Sequence, residues 1–242
     1  ASEAETACRD AGLEFVTGIE ITAHRGRADV HVLGYFIDAR SWTLRRFLAD
    51  QRRRRIERVG QMIERLASLG MVLNRDEILQ PAIADPNRAA GRPWIARALV
   101  ASGYVATTDE AFEQWLATGR PAFIPRSGPS PEVVFERIHE AGGVASLAHP
   151  GLLSHDDWVV DFSSRGLDAL EAYHSEHTAD DRVRYVELAR RLGLAVSGGS
   201  DFHADPHGAP EPGAVALPRD EFDQLRRRAT MRATASGADT SS

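Results

Sequence analysis

The chain has no lysine: all 29 of its basic residues are arginine. Chemistry that needs a lysine amine is therefore excluded, whether Schiff-base formation, a phosphate-loop lysine or a lysine general base. A phosphate bound here has to be held by arginine, histidine, backbone N–H groups or a metal ion. Cys8 is the only cysteine, which excludes a disulfide framework and a cysteine-rich zinc site. No apolar run approaches the roughly 18–20 residues that a membrane-spanning helix needs. The opening ASEAETACRD has neither the basic nor the apolar region of a secretory signal. Acidic residues outnumber basic ones, 35 to 29, for a net charge of −6. That balance argues against duplex DNA binding carried by bulk electrostatics, and leaves small phosphorylated substrates and single strands open.

What is present is a 242-residue chain, 43% hydrophobic, long enough for one large domain or one domain with an insertion. It opens in a short amphipathic helix ended by Gly12, a C-cap residue type. LEFVTGIEIT and DVHVLGYFI then read as a hairpin around HRGRA. Residues 43–70 read as one long helix with apolar side chains at helical spacing, ended by Gly70. Three shorter helices follow: NRDEILQPAI, broken by Pro81; GRPWIARALVASG; and TTDEAFEQWLATG, capped by Thr107 or Thr108. After Pro121 helices alternate with VASLAHP, DALEAYHS and LAVSGGSDFHAD, the pattern of a parallel α/β sheet or barrel. The expected organisation is an α/β domain over 1–38 and 121–231, interrupted by a helical insertion over 39–120, with 232–242 as a small, polar, disordered tail.

Several of the nine histidines fall at or just after predicted strands, where sites are built in sheets and barrels. Asp201 and His203 lie two apart after Gly198-Gly199, so on an extended backbone they point the same way, a natural pair of metal ligands. If the hairpin turns about Arg25-Gly26, residues whose numbers sum to 51 face each other, which pairs Glu20 with His31. A solvent-face pair is the plain alternative. His149 is left at the mouth of its strand by Pro150. Glu171, His174 and His177 share LEAYHSEHT, where phosphate contact or support of a ligand stands beside ligation. His139 reads as structural or exposed. The arginines of 52–58 read as a solvated helix face or a nucleotide-steering surface.

Taken in order, GIEIT, VHVLGYFID, GRPWIARALVASGY, GGVASLAHPGLL, LEAYHSEHT and GGSDFHAD resemble the polymerase and histidinol phosphatase (PHP) superfamily. The likeness is nearest to its bacterial nucleoside 3′,5′-bisphosphate phosphatase and 5′–3′ exoribonuclease branch, over about 12–230 of the chain. The resemblance implies a distorted (β/α)7 barrel with a divalent metal cluster at the C-terminal mouth of its strands. It implies Glu20 as the carboxylate bridging two metals, with His31 and His149 beside it and Asp201 and His203 closing the cluster. Mn²⁺ is the first expectation, with Fe²⁺ or Zn²⁺ as alternatives.

The expected reaction is hydrolysis of phosphate esters of nucleotides or short RNA by metal-activated water, in the cytoplasm and without a membrane partner. Glu20, Asp201 and His177 are the expected catalytic residues. Arg126, His174 and His177 are the candidates for substrate contact. The family's opening strands, with a His-x-His motif, an Asp and an Asp-His pair, have no counterpart here, so the barrel is expected to lack its first strands. Trp94 and Arg126 stand where relatives often carry His and Lys. The competing expectations are an inactive fragment or binding remnant, and a histidinol-phosphate-type phosphatase.

Overall fold

The computed structural model describes residues 2–86, 88–203 and 210–239. The chain divides into two compact units, one of residues 1–45 with 128–242 and one of residues 46–127. The first holds α1 (Ser2–Asp10), β1 (Gly18–Arg25), β2 (Ala28–Tyr35), α6 (Pro131–Glu140), β3 (Val144–Leu147), α7 (Pro150–Leu153), α8 (Asp156–Ser163), β4 (Ala169–His174), α9 (Ala179–Arg191), β5 (Ala195–Gly199) and α10 (Arg219–Asp239). Helix α2 (Trp42–Ser68) leads into the second unit. There it is followed by α3 (Arg75–Ala84), α4 (Arg92–Ala101) and α5 (Thr108–Ala111), which runs on as a π-helical turn over Phe112–Leu116.

The architecture is mixed α/β. The sheet order is β1-β2-β3-β4-β5, with β1, β2 and β3 antiparallel to their neighbours and β3, β4 and β5 parallel. The parallel part follows the strand–helix alternation of the sequence, because each crossover needs a helix of its own. The antiparallel part follows from the tight turn between β1 and β2. In that hairpin Ile21, Ala23, Val30 and Val32 are buried on one face, and α6 packs against β1, β2 and β3. A Cβ on Gly34 would stand 3.1 Å from Ile138 Cγ1, tighter than ordinary contact, so a larger residue here would press on the α6 side chain. The other face carries Glu20 and His31.

The observed register pairs residues whose numbers sum to 53, not 51: Glu20 stands opposite Leu33, and His31 opposite Thr22. The turn is Gly26-Arg27, with Gly26 at φ 64° supplying the left-handed position of a two-residue loop. Moving the turn by one residue moves the register by two, so both side chains keep their common face.

Two further expectations are corrected. Pro81 does not break its helix; α3 continues to Ala84. One backbone bond is lost there, while the Asn74 cap and the buried Leu79 and Ala82 hold the helix together. Residues 232–239 of the expected disordered tail are helical, since α10 extends to Asp239, through a run whose alanines favour continuation once the helix has started. Residues 240–242 lie outside the described ones.

The second unit has its own apolar core, with Met62, Leu66, Ile95, Leu99 and Leu116 fully buried. In the first unit Val144, Ala169 and Ala195 meet Leu225 and Ala229 of α10. Two hydroxyls sit inside the sheet: Ser146 Oγ and Ser197 Oγ are both fully buried and 2.7 Å apart. Ser146→Ala leaves one of them without its partner and is expected to cost about 1–2 kcal/mol. The Ser146→Ala/Ser197→Ala double variant should cost less than the two singles added, which thermal denaturation of the three proteins checks.

Candidate metal centre

The C-terminal ends of β3, β4 and β5 lie side by side, and the chain delivers His149, His174 and Asp201 there. The backbone N–H of Ala148 bonds the carbonyl of His31 at 3.0 Å, which fixes β2 beside this rim. His31 Nδ1 is 2.7 Å from Glu20 Oε1, and His149 Nε2 is 3.9 Å from the same oxygen. One donor atom each from Glu20, His31 and His149 fit within 4.8 Å of one another, and so do one each from Glu20, Asp201 and His203. Glu20 is common to both sets. All five residues expected to hold metal are thus brought to one place.

The route is not always the expected one. Asp201 is not extended; it sits at φ 53°, in the left-handed region that aspartate tolerates better than most residues. His203 then folds back so that its Nδ1 is 2.8 Å from the Asp201 carbonyl and 3.3 Å from Oδ1 of the same residue. His149 is also left-handed, at φ 28°, where its backbone turns sharply from β3 into α7. Backbone strain of this kind has to be held by its surroundings. Glu171 does so here: its Oε2 accepts the His149 N–H at 2.8 Å. Residues 204–209, with His207, lie outside the described residues.

The electrostatics agree with a cation site. The neighbouring imidazoles of His149 and His31 hold the Glu20 carboxyl well below the usual carboxylate range, against the effect of burial. Burial pulls the His149 imidazole down, but Glu20 and Glu171 outweigh it and leave it raised. His203 is raised by its own contacts with Asp201. His174 is lowered, first by burial and then by its histidine neighbours. Burial pushes Glu171 up to about 7.

The donors present fit a divalent metal. Imidazole nitrogens with carboxylate oxygens suit Mn²⁺, Fe²⁺ or Zn²⁺. The Nδ1 of His149 and the Nε2 of His174 are buried and make no hydrogen bond within the protein. Buried polar atoms are nearly always satisfied, so atoms of this kind are candidates for an ion or water. His174 Nε2 is 3.6 Å from Asp201 Oδ2, beside the second donor set.

The remaining expected residues are placed differently. His177 is buried, with Nε2 accepting from the Gly151 N–H at 3.2 Å and Nδ1 beside the Ala172 carbonyl at 2.9 Å. Both ring nitrogens are engaged, so the histidine expected in catalysis and substrate contact joins α7 to β4. His174 uses Nδ1 to accept the Glu176 N–H at 3.2 Å, leaving only Nε2 for the site. Its ring lies 5.4 Å from that of His149 and 5.3 Å from that of His177. Arg126 belongs to the other unit. Of the roles open to Glu171 in LEAYHSEHT, the one it fills is support of a ligand, through the His149 N–H. The signal was a carboxylate inside an otherwise apolar strand, which needs a specific partner when buried.

The chain matches no family model. It is 32% identical over 217 residues to a 3′,5′-nucleoside bisphosphate phosphatase of Chromobacterium violaceum, spanning 88% of this chain and 75% of that protein. It is 31% identical over 206 residues to a 5′–3′ exoribonuclease of Haemophilus influenzae, spanning 83% of this chain and 74% of that protein. A solved structure from Bifidobacterium adolescentis, assigned as a metal-dependent phosphoesterase, superposes with a TM-score of 0.73 at 31% identity, covering 94% of this chain and 81% of that one.

Proposed function

The chain belongs to the PHP superfamily, in the branch of nucleoside bisphosphate phosphatases and 5′–3′ exoribonucleases, and from that premise we propose that it is a metal-dependent hydrolase of phosphate esters in nucleotides or short oligonucleotides. The observation that carries the reading is Glu20, which belongs to two donor sets at once. Glu20, His31 and His149 would hold one divalent cation, and Glu20, Asp201 and His203 a second. When bound, such cations polarise phosphoryl oxygens and make water nucleophilic near neutral pH. The mixed α/β sheet, with His149, His174 and Asp201 at the C-terminal ends of its parallel strands and Glu20 and His31 on the antiparallel hairpin beside them, accords with the distorted barrel of the family.

The protein's own groups do the arranging. Glu171 holds the His149 backbone, so that the imidazole faces Glu20. His177 pins α7, the helix that follows His149. His174, whose Nδ1 accepts from the Glu176 N–H, presents Nε2 beside Asp201, placed to donate to a phosphoryl oxygen. Mn²⁺ is the first cation to test, before Fe²⁺ and Zn²⁺. No helix among the described residues is long and apolar enough to cross a membrane, and the cytoplasm is the proposed setting.

The test is phosphate release from adenosine 3′,5′-bisphosphate, from a short 5′-phosphorylated RNA and from histidinol phosphate, each with Mn²⁺ and with a chelator. Release from the nucleotide or RNA is expected with Mn²⁺, lost on chelation and restored by the metal, and slower on histidinol phosphate by about tenfold or more. Turnover of histidinol phosphate alone, or release that ignores the chelator, overturns the reading.

A further inference from the structure

Beyond the metal centre, α7 and α8 carry an aromatic group to which the reaction itself gives no role. His155 and Trp158 lie face to face, with ring centroids 4.1 Å apart and planes 2° from parallel. Two aromatic rings more often meet offset or edge to face, with centroids about 4.5–7 Å apart. A flat stack this close is the geometry in which one planar ring extends another. Trp158 is fixed in place. The Phe162 ring meets it at 61°, 6.5 Å away, and the Arg25 guanidinium stands 4.9 Å from its centroid. Arg25 is itself held by Asp161 at 2.7 Å.

His155, by contrast, keeps 49% of its side chain in solvent. Ordering an exposed imidazole in this way costs rotamer freedom and buries little apolar surface. A half-buried indole backed by a cation and topped by an exposed ring is the form of a stacking surface for nucleobases.

Its place in the fold is suited to that use. His149 enters α7 directly, and His155 follows six residues later. The helical turn and its flanking residues span no more than about 16 Å of chain. The arm is anchored to the wall of the site through Gly151 and His177. Arg27 is exposed at the tip of the β1–β2 hairpin, two residues from Arg25, where it offers a cation to the backbone of a strand.

We propose that the His155–Trp158 stack binds a base of a single-stranded oligonucleotide whose terminal phosphate lies at the metal centre. The proposal rests on the phosphoesterase reading and names one element that would favour a chain over a mononucleotide. Adenine, with its larger π face, should be preferred to uracil.

The experiment measures binding of a 5′-phosphorylated pentaadenylate, an abasic chain of the same length and adenosine 3′,5′-bisphosphate. The parent is compared with His155→Ala, Trp158→Ala and His155→Phe, with phosphate release followed in parallel. Stacking of a single base is worth about a 5- to 150-fold change in Kd. Pentaadenylate should therefore bind His155→Ala and Trp158→Ala more weakly by a factor in that range. His155→Phe should restore binding, and the abasic chain should bind all four proteins alike. The melting temperature of His155→Ala should stay within about 2 °C of the parent.

Equal pentaadenylate affinity in a folded His155→Ala overturns the platform, as does an equal loss on the abasic chain. If phosphate is released from the bisphosphate but the variants bind like the parent, the platform alone falls. If pentaadenylate binds through His155 but no phosphate is released from any ester, the hydrolytic reading falls and the platform stands.

Discussion

Replacing Glu20 by glutamine is expected to lower metal-dependent phosphate release by about 10³-fold or more. The amide keeps the size of the side chain and one carbonyl oxygen but not the charge. The loss is felt twice, because Glu20 belongs to both donor sets while each of its partners belongs to one. His31 loses the carboxylate 2.7 Å from its Nδ1, and His149 loses the one that helps to raise it. His31→Ala should be milder, since it leaves the set of Glu20, Asp201 and His203 intact. Elemental analysis separates the causes: Glu20→Gln should retain less than half of the parent's bound metal. The metal-free proteins should melt within a few degrees of each other, because Glu20 is only partly buried. Activity within tenfold of the parent at full metal content would remove Glu20 from its bridging place.

The sequence makes much of this site legible for a local reason. His149, Asp201 and His203 each follow an apolar run ended by proline or glycine, and such runs become parallel strands whose C-terminal ends must converge. Glu20 and His31 could be paired despite a wrong turn position. A side-chain period of two forgives a shift of two, so the face was right although the register was not. What could not be read depends on partners distant in the chain. The carboxylate of Glu171 serves the backbone of a residue 22 positions earlier. The ring nitrogens of His177 are spent on Gly151 and Ala172, and no spacing rule separates that from a free histidine beside a phosphate. The left-handed conformations of His149 and Asp201 are likewise invisible in residue types that seldom need them. The hold on α3 beyond Pro81 also lies in its buried residues and not in local propensity.

The largest stability effect is expected far from the metal centre, at Asp168, ahead of the N-terminal end of β4. Its carboxylate is 1% exposed. Oδ2 is 2.7 Å from His139 Nε2 and accepts the Ala145 N–H at 2.9 Å, while Oδ1 accepts from Arg232 at 2.7 Å. Arg228 stands 3.5 Å away. One side chain thus ties α6, β3 and α10 together at the end of the sheet opposite the site. Burial alone would push its titration upward, but the bonds from His139, Ala145 and Arg232 outweigh burial and hold it below the ordinary range. A group depressed in the folded state stabilises the fold at pH values above its unfolded value, near 4. That contribution is lost as the pH falls through the folded value.

Asp168→Asn should therefore cost about 3 kcal/mol at neutral pH, because it strands cations and leaves a buried backbone donor with a poorer acceptor. For a chain of this size, that lowers the melting temperature by about 6–12 °C. The deficit should hold from pH 8 down to about 5 and shrink below pH 4, as the parent loses what the variant never had. Denaturation of both proteins across that range checks the sign. A deficit that grows in acid would mean that the carboxylate is protonated in the folded protein and holds α10 by other means.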